Sequence, residues 1–310
     1  MRDLLAALPL LLAAAPAPKL IPGQFALDRS PDGNTIVFED AQGLVVIDTG
    51  RHKEHQAAIL DFAKARGKPI VAIVNTHWHL DHSGGNQELR AAFPQAKLYT
   101  STAVAGALDG FLARSLERGR ARLTDPKVSD ADKAETRLGV DAIEDRRDLL
   151  PDVAVTGTSR LPLGKRGLIL HLAPHAATEG DTWLYDPATR VLVAGDLVVL
   201  PAPFFDTACA KGWRDALDSL AAVPFAQLYP GHGPMLSSAQ FLTYRLGFDH
   251  LVDCAASSAP KQVCIDGWKK DVAPLLTGRD DGRSVQELLD YYFDNVLRKP
   301  EQQKAFCGAG

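Results

Sequence analysis

Four residues of the types that commonly bind metal ions crowd into a short stretch of this chain. His77, His79, Asp81 and His82 form a His-x-His-x-Asp-His pattern, and Ser-Gly-Gly follows it. Neutral imidazole nitrogens and carboxylate oxygens are natural donors to zinc, and crowding them without a cation is costly. The pattern therefore predicts a metal site. A polar loop with solvated histidines is the alternative interpretation, and it is much less favoured.

The elements around this cluster place it at the end of a buried strand. Residues 69–74 are a short apolar run, which is typical of a central strand. Sites in α/β proteins usually lie where such strands run out into loops. Two further strands end in similar donors: Asp196 follows residues 191–195, and His232 stands between two glycines after residues 227–229. A surface-turn residue is the alternative at both positions.

Together these segments resemble the metallo-β-lactamase superfamily. The resemblance implies an α/β fold, the four-layer αββα sandwich, with two zinc ions per chain and a water or hydroxide between them. It also implies that Asp81 is catalytic, orienting the attacking oxygen and accepting its proton. The ligand set carried over from the resemblance is His77, His79 and His175 for one metal, Asp81, His82 and His232 for the other, and Asp196 as the bridge.

One part of the family pattern departs from expectation. The family has His-Thr-x-Gly-Asp, whereas Ala177 precedes Thr178 here and His175 lies two residues upstream of Ala177. Either the loop bulges to bring His175 to the metal, or the site has a different shell and favours one tightly bound ion. Asp48 matches another family motif, and we expect it to orient a ligating histidine rather than to bind metal.

The 310 residues carry a formal charge of −4, which gives no basic footprint for nucleic acid. Residues 1–18 resemble a secretory signal peptide too short to span a membrane, so we expect a periplasmic or secreted protein without stable membrane insertion. Residues 19–236 are predicted to form the metal-binding domain. A helical insert at about 102–150 is a candidate lid, and residues 237–310 form a helical C-terminal extension. We expect His52, His55 and His250 to be surface residues.

Four cysteines in an exported chain suggest disulfides, and three connectivities are possible. Cys254 and Cys264 are close in sequence and are expected to pair, which leaves Cys209 for Cys307. The second bridge would fasten the C-terminus to the loop after Asp196. Some of the four could instead be buried thiols.

The leading hypothesis is an exported zinc-dependent hydrolase of a small-molecule amide, ester, thioester or phosphoester, with β-lactamase activity possible. One alternative is a dedicated metallo-β-lactamase. Another is a non-catalytic periplasmic metal-binding accessory protein. The sequence does not specify the substrate, the metal used in the cell or the oligomeric state.

Overall fold

The structure is a computed structural model that describes residues 15–23, 31–163, 166–276 and 282–308. The predicted signal peptide at 1–18 lies outside these ranges except for residues 15–18. Across the described ranges, no helix combines the length and the apolar character needed to cross a bilayer.

Two six-stranded sheets form the centre of the molecule. In each sheet, the spatial order of the strands follows the chain. The first sheet contains β1 (Lys19–Ile21), β2 (Thr35–Glu39), β3 (Leu44–Ile47), β4 (Ile70–Val74), β5 (Lys97–Ser101) and β6 (Val153–Val155). The second contains β7 (Ser159–Arg160), β8 (Ile169–Pro174), β9 (Gly180–Asp186), β10 (Val191–Val199), β11 (Gln227–His232) and β12 (Leu236–Ser237).

Helices cover the outer faces of both sheets. The first half of the described chain contains α1 (Lys53–Arg66), α2 (Leu80–Ser83), α3 (Asn86–Ala92), α4 (Ala103–Asp109), α5 (Phe111–Thr124), α6 (Asp130–Glu144) and a 3-10 turn at Arg146–Asp148. The second half contains α7 (Ala210–Ala221), α8 (Ser238–Ala256), α9 (Lys261–Val272), a 3-10 turn at Ala273–Leu275, α10 (Gly282–Tyr292), a π-helical turn at Phe293–Leu297 and α11 (Pro300–Phe306).

The central strands are buried on both faces, which explains their continuous apolar sequences. Every residue of β3 and β10 is buried. Val45 and Ile47 face the core between the two sheets, whereas Val46 faces the core beneath the first helical layer. A third core lies between the second sheet and α7–α10. The fold is therefore the predicted αββα sandwich.

Parallel pairing brings the expected site residues to one edge of the sandwich. Strands β3 and β4 are parallel neighbours in the first sheet, and β10 and β11 are parallel neighbours in the second. The ends of parallel strands meet at the same edge of a sheet. A hydrogen bond from Thr182 N to Thr76 O, 2.6 Å long, joins the two sheets beside this edge.

Two disulfides fasten the C-terminal part of the chain. Cys254 bonds to Cys264, and Cys209 bonds to Cys307, so both expected pairings are confirmed. The first bridge links α8 to α9. The second joins the residue after α11 to the residue that precedes α7.

Candidate metal centre

Five side chains converge where the parallel strands end. One group of donors is Asp81, His82 and His232, and a second is His77, His82 and Asp196, with the atoms of each group within 4.8 Å of one another. Asp196 reaches both groups: its Oδ1 lies 3.1 Å from His82 Nε2, and its Oδ2 lies 3.7 Å from His77 Nε2. The predicted bridging position of Asp196 agrees with this geometry. The assignment of these residues as ligands stays a prediction.

Buried atoms in this cluster lack ordinary partners, and this suits a cation. His77 Nε2 and both carboxylate oxygens of Asp196 are buried and have no hydrogen-bond partner among the described residues. Leaving a carboxylate buried and unpaired costs several kcal/mol. The Nε2 atoms of His82 and His232 face each other at 3.2 Å, where only one of them can donate. Nitrogen and carboxylate donors of this kind fit zinc.

Asp48 orients the histidines from behind. It accepts a hydrogen bond from His82 Nδ1 at 2.8 Å and another from the Thr76 hydroxyl at 2.7 Å. Because its oxygen faces Nδ1 of His82, the Nε2 lone pair is left to face the cluster. Thr76 in turn lies 3.1 Å from His77 Nδ1, which presents His77 Nε2 in the same way. These contacts agree with the orienting role expected for Asp48, which stays a prediction.

His79 stands beside the cluster and not within it. Its ring centroid lies 4.6 Å from that of His77. Its Nε2 lies 3.2 Å from the hydroxyl of Thr207, which donates to the carbonyl of Ala177. His79 Nε2 is therefore the protonated nitrogen, and Nδ1 is the one available to a metal. Thr207 was not identified from the sequence, and no sequence motif marks it.

Charges in the cluster are strongly coupled. Burial lowers the pKa of His82, but the carboxylates of Asp196, Asp81 and Asp48 outweigh burial and raise it well above its usual value. Burial raises the pKa of Asp81, but His82 and His232 hold it well below its usual value. Burial itself lowers the pKa of His77. A cation that binds His82 must displace its proton, so metal affinity should rise with pH.

Two glycines permit the close packing of this site. A Cβ at Gly231 would stand 2.0 Å from Asp196 Oδ1, and a Cβ at Gly33 would stand 2.2 Å from the His82 ring. Any larger residue would displace a candidate ligand. Gly33 belongs to the loop before β2, which sequence analysis did not connect with the site.

The structure does not bring His175 to the cluster, so its predicted place as a third histidine ligand is corrected. His175 begins the tight turn between β8 and β9, where its N–H donates to Glu179 O and its φ is +50°. Its Nδ1 lies 3.0 Å from Phe306 O, and its ring packs on Gly308. The loop therefore turns the ring toward the C-terminal segment. No other histidine takes its place in either donor group.

The expectation that His52 and His55 are surface residues is wrong. His52 lies between Asp32 and Glu135, with Nδ1 3.0 Å from Asp32 Oδ2 and Nε2 3.0 Å from Glu135 Oε2. The hydrogen bond to Asp32 and the one to Glu135 raise the pKa of His52 against the effect of burial. His55 is fully buried, and its Nε2 lies 2.7 Å from the Thr35 hydroxyl. His250 is exposed as expected.

A cavity of about 530 Å³ opens beside the cluster of candidate metal ligands. Asp81, His79 and Trp78 lie in its wall. Trp78 is 2% exposed, and its indole N–H donates to Glu179, so it is mainly a packing residue. Phe204 and Asp206, from the segment after β10, also line this cavity.

Sequence comparisons give independent information. Residues 31–232 match the family model of the metallo-beta-lactamase superfamily. The chain is 27% identical over 227 residues to a linear primary-alkylsulfatase of Pseudomonas sp. (strain ATCC 19151), a match that covers 66% of this chain and 42% of that protein. It is 46% identical over 52 residues to a hydroxyacylglutathione hydrolase of Synechococcus sp. (strain JA-3-3Ab), covering 17% and 21%. The chain thus spans less than half the length of these curated relatives.

Structural comparisons give the same fold. A metallo-beta-lactamase from Pontibacter korlensis aligns with a TM-score of 0.53 at 20% identity, covering 73% of this chain and 91% of that one. The metallo-beta-lactamase FIM-1 from Pseudomonas aeruginosa, in a mono-zinc form, aligns with a TM-score of 0.52 at 16% identity, covering 73% and 88%. At these identities the similarity establishes the fold and not the substrate.

Proposed function

This chain belongs to the metallo-β-lactamase superfamily, and on that basis we propose that it is a zinc-dependent hydrolase of a small-molecule substrate. The observation that carries the proposal is the convergence of Asp81, His82, His232 and Asp196, in which both buried oxygens of Asp196 have no hydrogen-bond partner among the described residues. The curated relatives include hydrolases of a sulfate ester and of a glutathione thioester by their names. The reaction class is hydrolysis of an amide, ester, thioester or phosphoester.

The two donor groups are unequal, and this bears on the number of ions. One ion would have two nitrogen donors, from His82 and His232, and two carboxylate donors, from Asp81 and Asp196. The Oδ1 atom of Asp196 lies 3.7 Å from Nε2 of His232. The second position has His77, the other oxygen of Asp196 and, beside them, His79, with no third histidine. Four donors satisfy the usual tetrahedral coordination of zinc. We therefore propose one tightly bound ion and a weaker second one.

Zinc bound in this cluster would supply the positive charge that acidifies water and polarises the scissile group. The chain's own residues do the rest. Asp81 is a candidate ligand that also lines the cavity, with a side chain 23% exposed. Its lowered pKa keeps it ionised at neutral pH, so its carboxylate can orient a water molecule and accept its proton. Asp48 and Thr76 hold the histidine rings in the orientation that this requires.

The test is hydrolysis by the purified protein with defined zinc content. We expect turnover of model p-nitrophenyl esters that chelation abolishes and added zinc restores. Asp81→Ala should remove the activity, whereas Asp253→Ala, a change in an exposed ion pair with Arg214, should not. Specific turnover of nitrocefin above all other substrates would favour a dedicated metallo-β-lactamase. Tight zinc binding without any hydrolysis would contradict the proposal and favour a metal-binding accessory protein.

Export is also proposed, on two grounds. The apolar N-terminal run has the composition of a secretory signal, and disulfides are typical of oxidising compartments. Cell fractionation with mass measurement of the mature chain tests it. A full-length chain with four free thiols in the cytoplasm would contradict it.

A further inference from the structure

The walls of the cavity beside the candidate metal ligands come from four separate parts of the chain. The metal loop contributes His79 and Asp81, and the segment before α7 contributes Phe204. The helical insert contributes Phe111 from α5, and the C-terminal extension contributes Leu288 from α10. The last two lie outside the strands that carry the candidate ligands. They are therefore features by which this chain can select its substrate.

Apolar rings stand on both sides of the cluster. The ring centroid of Phe111 lies 5.3 Å from that of Trp78 and 6.4 Å from that of His79. On the opposite side, the ring of Phe204 lies 5.4 Å from that of His232. Phe111 and Phe204 both line the cavity, so a substrate bound in it contacts aromatic carbon close to the candidate ligands His79 and His232.

Helix α10 is held against this cavity by a polar contact at its last residue. The Tyr292 hydroxyl donates to Asp206 Oδ2 at 2.5 Å, and its ring lies 5.6 Å from that of Phe205. Tyr292 is 1% exposed, and burial next to the Asp206 charge raises its pKa far above the usual value. It stays protonated and donating, so it fixes Leu288, one turn earlier, in the cavity wall.

The charged groups of the wall give little attraction to an anionic substrate. Its only cation in the described part of the chain is Arg51, whose guanidinium lies 2.9 Å from Glu135. Asp206 adds a carboxylate to the cavity wall. An anionic group on the substrate would be repelled by the Asp206 carboxylate. No unpaired cation among the described lining residues would compensate for that repulsion.

We propose that this cavity binds the apolar, uncharged acyl chain of a carboxylic ester, with Phe111 and Leu288 as specificity-determining residues. The inference rests on the proposed hydrolase function and names its substrate class. Hydrolysis then adds water across the acyl–oxygen bond and releases a carboxylic acid and an alcohol. The volume of about 530 Å³ is in the range that holds a small organic ligand.

The first experiment compares p-nitrophenyl acetate, butyrate and octanoate. Each methylene buried in the cavity should raise kcat/KM by about fourfold, so octanoate should exceed acetate by tenfold or more. Leu288→Trp, which fills the cavity, should lower kcat/KM for octanoate at least tenfold and lower the ratio of octanoate to acetate turnover by a similar factor. Leu246→Trp on α8, 59% exposed, is the matched control and should change neither. A flat dependence on chain length, or preference for p-nitrophenyl phosphate or sulfate, would overturn the proposal.

A second measurement does not depend on turnover. Octanamide, an uncharged compound with the same chain, should bind the zinc-loaded wild type in calorimetric titration and bind Leu288→Trp at least tenfold more weakly. If no ester is hydrolysed but this difference is found, the hydrolase proposal fails and the apolar subsite stands. If esters are hydrolysed but octanamide binds both proteins equally, or neither, the subsite is refuted. Should Leu288→Trp not fold, Phe111→Ala takes its place, because it removes one ring from the entrance.

Discussion

Asp48 and His82 are joined by a hydrogen bond of 2.8 Å between Oδ2 and Nδ1, and both side chains are almost fully buried. The same carboxylate also accepts from the backbone N–H and the hydroxyl of Thr76. One residue without a direct role in metal binding therefore fixes two of the candidate ligand rings. Partners of this kind determine which ring nitrogen a histidine offers to the metal.

We predict that Asp48→Asn lowers zinc affinity by about 10–100-fold while the chain stays folded. The amide keeps the size of the carboxylate but loses the charge that favours Nδ1–H on His82. Competition titration with a chromophoric chelator measures the affinity. Asp186→Asn is the control, because Asp186 is a buried carboxylate that pairs with Arg166 instead of a candidate ligand. Equal affinity in the wild type and Asp48→Asn would contradict the orienting role.

His175→Ala should leave the zinc content of the purified protein unchanged. Its ring contacts Phe306 O and Gly308 rather than the cluster, so the loss affects only the contact with the C-terminal segment. Elemental analysis of the two proteins after identical dialysis checks this. His82→Ala, which removes a member of both donor groups, is the positive control and should lose most of the metal. Loss of zinc from His175→Ala to the same degree would restore His175 as a ligand.

Ala177→His should raise the zinc content from about one to about two ions per chain. The carbonyl of Ala177 is linked through Thr207 to His79, so residue 177 lies next to the position that lacks a third histidine. An added imidazole there would complete the weaker group. Metal content after dialysis gives the result, and combining the change with His77→Ala should cancel the gain. A folded variant that still holds one ion would count against this account of the second position.

The His52–Glu135 contact should make stability depend on pH. The pKa of His52 is raised in the folded protein from its ordinary 6.5, so the stabilisation is fully present below pH 6.5. It is lost as pH rises through the raised pKa. Glu135→Gln should therefore cost most at acidic pH, by about 0.5–1 kcal/mol for a partly exposed pair, and less at alkaline pH.

Chemical denaturation of the wild type and Glu135→Gln on both sides of pH 6.5 measures this difference. The loss of the Arg51 contact adds a component that does not vary with pH. Glu144→Gln is the control on the same helix, because Glu144 pairs with Arg120, which does not titrate in this range. A gap between wild type and Glu135→Gln that is constant with pH would show that Glu135 does not contribute to the raised pKa of His52.

The sequence predicts the fold and most of the cluster because both depend on local patterns. The burial of β3, β4 and β10 follows from their continuous apolar residues. The His-x-His-x-Asp-His stretch needs only one loop to bring its donors together. Asp196 and His232 could be predicted because each comes after a run of apolar strand residues in the sequence. In the structure, Asp196 lies within β10 and His232 is the last residue of β11, its parallel neighbour.

The errors concern residues whose surroundings come from distant parts of the chain. His52 was assigned to the surface because its own segment is charged, but its partners Asp32 and Glu135 lie 20 and 83 residues away. The prediction for His175 was wrong for a local reason that composition does not reveal. A positive φ in a tight turn directs its ring away from the candidate metal ligands. Thr207 and Leu288 belong to the site only through the packing of later segments.

The bridge between Cys209 and Cys307 spans 98 positions and ends beside the segment that bears Phe204 and Thr207. This disulfide can therefore form only after α11 has been synthesised and both thiols have been oxidised. The cavity wall that contains Phe204 is thereby tied covalently to the C-terminal end of the chain, so its attachment depends on an oxidising environment.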